Sequence, residues 1–473
     1  MRGASAVCLL CIAAPLTSAL SLVKKDAPAV LELGIQHHPN AARSYAKRDD
    51  GSFRLQSNFN VRENFFHANI SVGSPPQWME VHLHVGTDQT WFQAANSTSC
   101  QWYRNHMDCG GQGGYNSSAS KTAQWVGSGF KDIDYSGEGA VLTDVVDLGA
   151  VKLDAMEFGV VYDGITESTL GLGYGLNNST SISLPHALAN AGFIQSPAFS
   201  MWLEPGTLPR LSALNNGSVL FGGVNKAKYI EPLYTLPIVQ PAGLPKAFRV
   251  EMTGLSLSTE KGTTTVNTEP FPLDAKLDTR TSVTWVPEAV TKQLFAQLNV
   301  TGVADEGQVM MPCDSDANVT FSFGGASFDL QLFMFLSQQS PINLEIYNGS
   351  CYLGIVPNTR LHKDEGSVIL GTNFLKWVYA VYDMGSDRVS LAKRNWARPL
   401  HDEILEITPQ GGIPDATVVN SFGGDQGDGA SKADNKTSAS DKGSDKDKSG
   451  SSRLELATGL GWCLFSALAF AFV

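Results

Sequence analysis

Leu277-Asp278-Thr279-Arg280-Thr281-Ser282-Val283-Thr284-Trp285 aligns without gaps on Leu83-His84-Val85-Gly86-Thr87-Asp88-Gln89-Thr90-Trp91. Leu, Thr, Thr and Trp coincide in register. Each copy is followed at a similar distance by two non-charged residues and a glycine, Thr169-Leu170-Gly171 after the first and Ile369-Leu370-Gly371 after the second. Paired signals at matched offsets predict an internal duplication. Two lobes of like topology are expected, each with a strand-turn loop threaded past a second strand.

Outward from these loops, short Val/Ile/Phe/Thr-rich runs alternate with Gly, Asn, Ser and Pro clusters, the pattern of an all-β chain. Helices are expected to be few, with Pro185–Gly192 and Glu288–Leu298 the best candidates. Lobe one is drawn at 49–235 and lobe two at 236–400, because roughly 350 residues exceed what one hydrophobic core usually serves. Trp91 and Trp285 are expected to pack behind the two loops. His67 and His82 lack metal-ligand spacing and are expected to be surface or hydrogen-bonded histidines.

The ends of the chain carry different information. Residues 1–19 combine an early Arg2, an apolar run and Thr17-Ser18-Ala19, the order of a secretory signal. The dibasic pair Lys47-Arg48 closes a stretch, 20–48, expected to be a propeptide outside the fold. Residues 401–452 are expected to form a stalk that is Gly-, Ser-, Asp- and Lys-rich towards its end and too poor in apolar residues there to order. In 453–473 a short polar spacer leads to an apolar tail, preceded by the small residues Ser449, Gly450 and Ser451, as in a GPI-attachment signal. A C-terminal membrane helix is the alternative, although the tail is short of the ~20 residues that a span needs.

Of seven cysteines, Cys8 and Cys11 fall in the signal and Cys463 in the tail. Cys100, Cys109, Cys313 and Cys351 remain, and four cysteines allow three pairings. The local pairing, Cys100 with Cys109 and Cys313 with Cys351, closes the shortest loops. Asn-x-Ser/Thr sequons recur from Asn69 to Asn435, as suits a glycosylated surface protein. The net charge of −12 argues against nucleic acid as a partner. No grouping of residues suggests a metal or a cofactor, and a monomer is expected.

These residues resemble the pepsin-like aspartic peptidases, and among them the secreted, GPI-anchored fungal yapsin-like group. The likeness covers nearly the whole folded part. It includes Phe66-His67-Ala68-Asn69-Ile70-Ser71-Val72-Gly73-Ser74-Pro75-Pro76-Gln77, close to the family's entry strand and turn, and Ile133-Asp134-Tyr135-Ser136-Gly137, which matches the flap hairpin. Leu370-Gly371-Thr372-Asn373-Phe374-Leu375 matches the end of lobe two. The resemblance implies a bilobal β fold around a cleft, with Tyr135, Gly137 and Thr279 near a bound peptide. It also implies one Asp-Thr-Gly from each lobe at the cleft floor. Two carboxyls there share one proton, one activating water and the other polarising the scissile carbonyl.

Three of those six positions differ in this chain. His84 stands where the first Asp is expected, Val85 where its Thr is, and Arg280 where the second Gly is. Asp278, Thr279 and Gly86 match. An imidazole cannot share a proton as a second carboxyl would, Val85 lacks the hydroxyl that bridges the lobes, and Arg280 brings a cation that favours ionised Asp278 and could occupy the water site. Loss of one placed acid or base alone costs on the order of 10²–10⁴ in rate. The expectation is a peptide-accommodating cleft without efficient turnover. The alternatives are a working His/Asp variant, with Asp278 as base and protonated His84 as electrophile, and a structural wall glycoprotein.

Overall fold

The computed structural model describes residues 29–37, 66–98, 100, 113–131, 137–163, 167–175, 182–203, 216–266, 271–298, 300, 309–337, 350–358, 368–397 and 401–419. The signal, the Lys47-Arg48 pair, most of the stalk and the apolar tail lie outside them.

The architecture is all-β and bilobal. Strands form because side chains alternate between core and solvent with a period of two. Glu138–Asp147 buries every second residue from Ala140 to Val146, and Asn318–Phe323 buries Val319, Phe321 and Phe323. Ala198–Leu203 and Val378–Asp383 are buried along their whole length. They pair antiparallel, from Ala380 opposite Met201 to Asp383 opposite Ala198. Lobe two thus contributes strands to the 14-stranded sheet that also carries lobe one. The expected boundary at 235/236 falls inside the strand Tyr229–Pro237 of that sheet.

The duplication is visible in the hydrogen-bonding pattern. In lobe one Gln77–His84 runs parallel to Thr169–Gly171, with His84 opposite Gly171. In lobe two Leu273–Leu277 runs parallel to Val368–Leu370, with Leu277 opposite Leu370. Each tryptophan strand then docks on the same partner: Trp91 lies antiparallel to Thr169 and Trp285 to Ile369. Both indoles are buried, as expected of packing behind the loops. The loops pass so close to their neighbours that no side chain fits at the crossing. A Cβ on Gly171 would lie 2.4 Å from the backbone of Asp88, and one on Gly371 2.1 Å from the carbonyl oxygen of Val283.

Helices occupy Leu184–Asn190, with Pro185 in its first turn, and Glu288–Gln297, both within two residues of expectation. A one-turn helix, Thr372–Leu375, follows Gly371 and was not anticipated. The Cys313–Cys351 disulfide is present. Cys100 is also disulfide-bonded, while Cys109, its expected partner, lies outside the described residues.

Two expectations about the ends need correction. Leu31–His37, placed outside the fold as part of 20–48, pairs antiparallel with Asn216–Phe221 from Leu31 opposite Phe221 to Gln36 opposite Asn216. Its Leu31 and Leu33 are buried, so the segment has an apolar edge that a sheet can take up. Residues 401–419, placed in the stalk, also belong to the fold. Ile404–Glu406 pairs with Gly223–Asn225, and Ala416–Val418 runs parallel to Leu233–Thr235. Ile407 is fully buried against a cluster that contains Trp202 and Tyr379. Lys226 adds ion pairs to Asp415 and Glu231. Ile404, Leu405, Ile407 and Ile413 supply the apolar contacts that the composition of the later stalk lacks.

Candidate active site between the lobes

The two repeated loops meet where the lobes join. Asp278 follows the end of the strand Leu273–Leu277, and its backbone N–H donates to Leu370 O at 3.1 Å. His84 ends the strand Gln77–His84 and is 3 % exposed. Its Nε2 lies 3.3 Å from Asp278 Oδ1. The residue that faces Asp278 across the lobes is therefore an imidazole. Gly86 leaves room for this contact, since a Cβ there would fall 2.6 Å from His84 Nε2.

Thr279, expected near bound peptide, carries the hydroxyl bridge between the lobes that the resemblance implied for the threonine of each motif. It donates to Leu83 O at 2.6 Å and accepts from Val85 N–H at 3.1 Å. The Val85 side chain has no hydroxyl to return and is buried in the apolar core instead. In addition, His82 Nε2 lies 3.0 Å from Thr279 O. A carbonyl only accepts, so His82 carries its proton on Nε2. Gly137 is buried just before the strand Glu138–Asp147, and Tyr135 lies outside the described residues.

The Arg280 guanidinium, which the sequence allowed at the water site beside Asp278, has its partners in lobe one. The Arg280 backbone N–H still donates to Asp278 Oδ1 at 2.8 Å, as a glycine there would. Its guanidinium turns towards lobe one, with Nη1 3.5 Å from Glu167 Oε2 and 3.3 Å from His82 Nδ1. Glu167 in turn accepts from His67 Nε2 at 2.6 Å. His67 and His82 are both fully buried and hydrogen-bonded, so of the two expectations the surface one fails. The three histidines form a ladder across two strands, with ring centroids 5.7 Å apart for His67–His82 and 5.6 Å for His82–His84.

The cation that acts on Asp278 is one that sequence reasoning missed. Lys276 Nζ lies 2.7 Å from Asp278 Oδ2, and its side chain is 12 % exposed. Lys276 and Asp278 are two residues apart, which puts both side chains on one strand face. That spacing was the available signal. Burial opposes ionisation of Asp278, but Lys276 and then His84 outweigh it and hold the carboxyl well below the usual carboxylate range.

His82 is held in the neutral state well below the usual imidazole range, first by burial, then by Arg280, His84 and His67. Both groups make the fold less stable in acid. The contribution of neutral His82 is complete above about pH 6.5 and is lost as pH falls below it, and that of ionised Asp278 is lost at lower pH still. Thermal denaturation is therefore expected to shift to lower temperature from pH 7 to pH 4, and His82→Gln to flatten the part of that slope nearest pH 6. Equal slopes for the two proteins would contradict the assignment.

Comparison with known proteins agrees with this geometry. The family profile described as eukaryotic aspartyl protease matches residues 65–394. The chain is 31 % identical over 433 residues to the probable aspartic-type endopeptidase opsB of Aspergillus oryzae, covering 87 % of this chain and 85 % of the relative. It is 28 % identical over 411 residues to the aspartic proteinase yapsin-3 of Saccharomyces cerevisiae, covering 79 % and 75 %. With secreted aspartic protease 8 of Candida albicans it shares 28 % over 338 residues, covering 69 % and 75 %. A duplicated pair of threaded loops that meet at a buried carboxylate, matched along most of the chain, places this protein in the eukaryotic aspartyl protease family.

Proposed function

We propose that this chain is a secreted, surface-displayed member of the family whose cleft holds an extended peptide without efficient hydrolysis. The observation that carries the proposal is the setting of Asp278, which contacts an ammonium and an imidazole where the shared-proton mechanism needs a second carboxyl. A carboxyl so placed stays ionised and, among the described residues, faces no second carboxyl with which to divide a proton. The partner is then a peptide or protein segment bound as a monomer's ligand.

Secretion and display are supported by the signal-like N-terminus, the tail with the order of a GPI signal, and the secreted and yapsin names among the relatives. Asn69, Asn96 and Asn116 begin sequons and are exposed, which supports glycosylation.

The test is turnover by the purified chain freed of its tail. On a fluorogenic peptide library between pH 2.5 and 7, it is expected to hydrolyse peptides at least about 10²-fold more slowly than a two-carboxyl relative. Any residual rate should be unchanged in Asp278→Ala. The working His/Asp variant is the second reading, favoured by the 3.3 Å His84–Asp278 contact. It wins if the unaltered chain turns over at a relative's rate and Asp278→Ala abolishes it.

A further inference from the structure

We infer that Lys276 is a positioning residue that holds the cleft floor non-hydrolytic independently of His84, Val85 and Arg280, so that restoring those three alone does not restore hydrolysis. The inference rests on the non-turnover reading above and deepens it.

The argument begins with the two oxygens of Asp278. Oδ1 faces His84 Nε2 and accepts from the backbone N–H of Arg280. Oδ2 is held by Lys276 Nζ at 2.7 Å. Lys276 reaches it from the adjoining strand, Leu273–Leu277, which is fixed on both sides by Arg249–Met252 and Val368–Leu370. That contact needs none of the three exchanged side chains. The Arg280 guanidinium is turned towards Glu167 and His82, and the Val85 side chain lies in the core. The Tyr382 hydroxyl, on the strand Val378–Asp383, also senses Asp278.

A carboxyl dyad works because two close carboxylates cannot both ionise, and the proton they retain is the one that polarises the substrate carbonyl. An ammonium on Oδ2 removes that constraint. With Asp at position 84 and Lys276 in place, one positive charge offsets the second negative charge, and both carboxyls can ionise. The geometry of a dyad would be restored without its proton.

The experiment compares full-length secreted proteins on the same peptide library from pH 2.5 to 7. One carries His84→Asp, Val85→Thr and Arg280→Gly. Two others add Lys276→Met, which keeps length but not charge, or Lys276→Arg, which keeps charge. The Met variant is expected to show an acid optimum and a rate at least about 100-fold above the triple variant, with the Arg variant as slow as the triple. Equal rates in the triple and Met variants, silence in both, or equal rates in the Met and Arg variants would overturn the inference. Turnover by the unaltered chain is measured separately; it would remove the non-turnover reading, and the role of Lys276 would fall with it.

Single variants carry the same comparison should the triple exchange fail to fold. At pH 4 a peptide with a secondary alcohol in place of the scissile carbonyl should bind Lys276→Met about 10-fold more tightly than it binds the natural chain or Lys276→Arg, since Asp278 Oδ2, relieved of the ammonium, is open to the alcohol's hydrogen bond. Equal affinity across the three would also overturn the inference.

Discussion

Glu167→Leu is expected to lower the unfolding free energy by roughly 3–5 kcal/mol, the range for stripping one partner from a buried ion pair. Glu167 is 1 % exposed and lies on lobe one. It takes Arg280 from lobe two and His67 from its own lobe. A leucine would take the Glu167 carboxylate from the guanidinium beside His82 and the carboxylate acceptor from His67 Nε2. Adding Arg280→Gly should recover a large part of the loss, with a coupling of about 1–3 kcal/mol between two residues that share one network. Urea unfolding at pH 7, followed by tryptophan fluorescence, gives all four corners of the cycle. A single variant within about 1 kcal/mol of the natural chain, or strictly additive effects, would show that Glu167 does not hold Arg280.

This network explains how an arginine is tolerated two residues after Asp278. Its backbone makes the hydrogen bond that the glycine of the family motif would make, and its side chain is led away to an acid 113 positions earlier in the chain. The sequence shows that Arg280 is present but not where its guanidinium points, because the partner is distant in sequence and the contact forms only when the lobes close. Lys276 was missed for the opposite reason. Its relation to Asp278 is local and follows from strand alternation, but Lys276 lies just outside the repeated segment, which begins at Leu277. The repeated Leu, Thr and Trp positions were legible because the same threading requirement acts twice on the chain. Leu31–His37 and 401–419 were not, since strands of three to seven residues carry little periodic signal, and the dibasic pair and polar stalk nearby dominated the composition.

The threading requirement itself predicts the other large effect. Gly371→Ala places a methyl 2.1 Å from Val283 O and 2.6 Å from Thr281 O, both backbone atoms with little freedom to retreat. Thr281 O already accepts from Thr372 N–H at 2.8 Å, and Asp278 N–H is tied to Leu370 O, so the loop is held on both sides of the clash. The φ of Gly371 is −81°, which any residue adopts. The penalty thus comes from contact alone and not from backbone conformation. Relief would require the 278–283 loop to move away from the 368–371 strand end, which would also draw Asp278 from Lys276 and His84. A loss of roughly 3 kcal/mol or more is expected, enough to reduce secreted yield sharply. Gly127→Ala is the matched control, because nothing lies within 4 Å of the added methyl. If the two alanine variants melt at the same temperature, the loops do not cross as closely as the duplicated strand pairing requires, and the meeting of Asp278 with His84 would need another explanation.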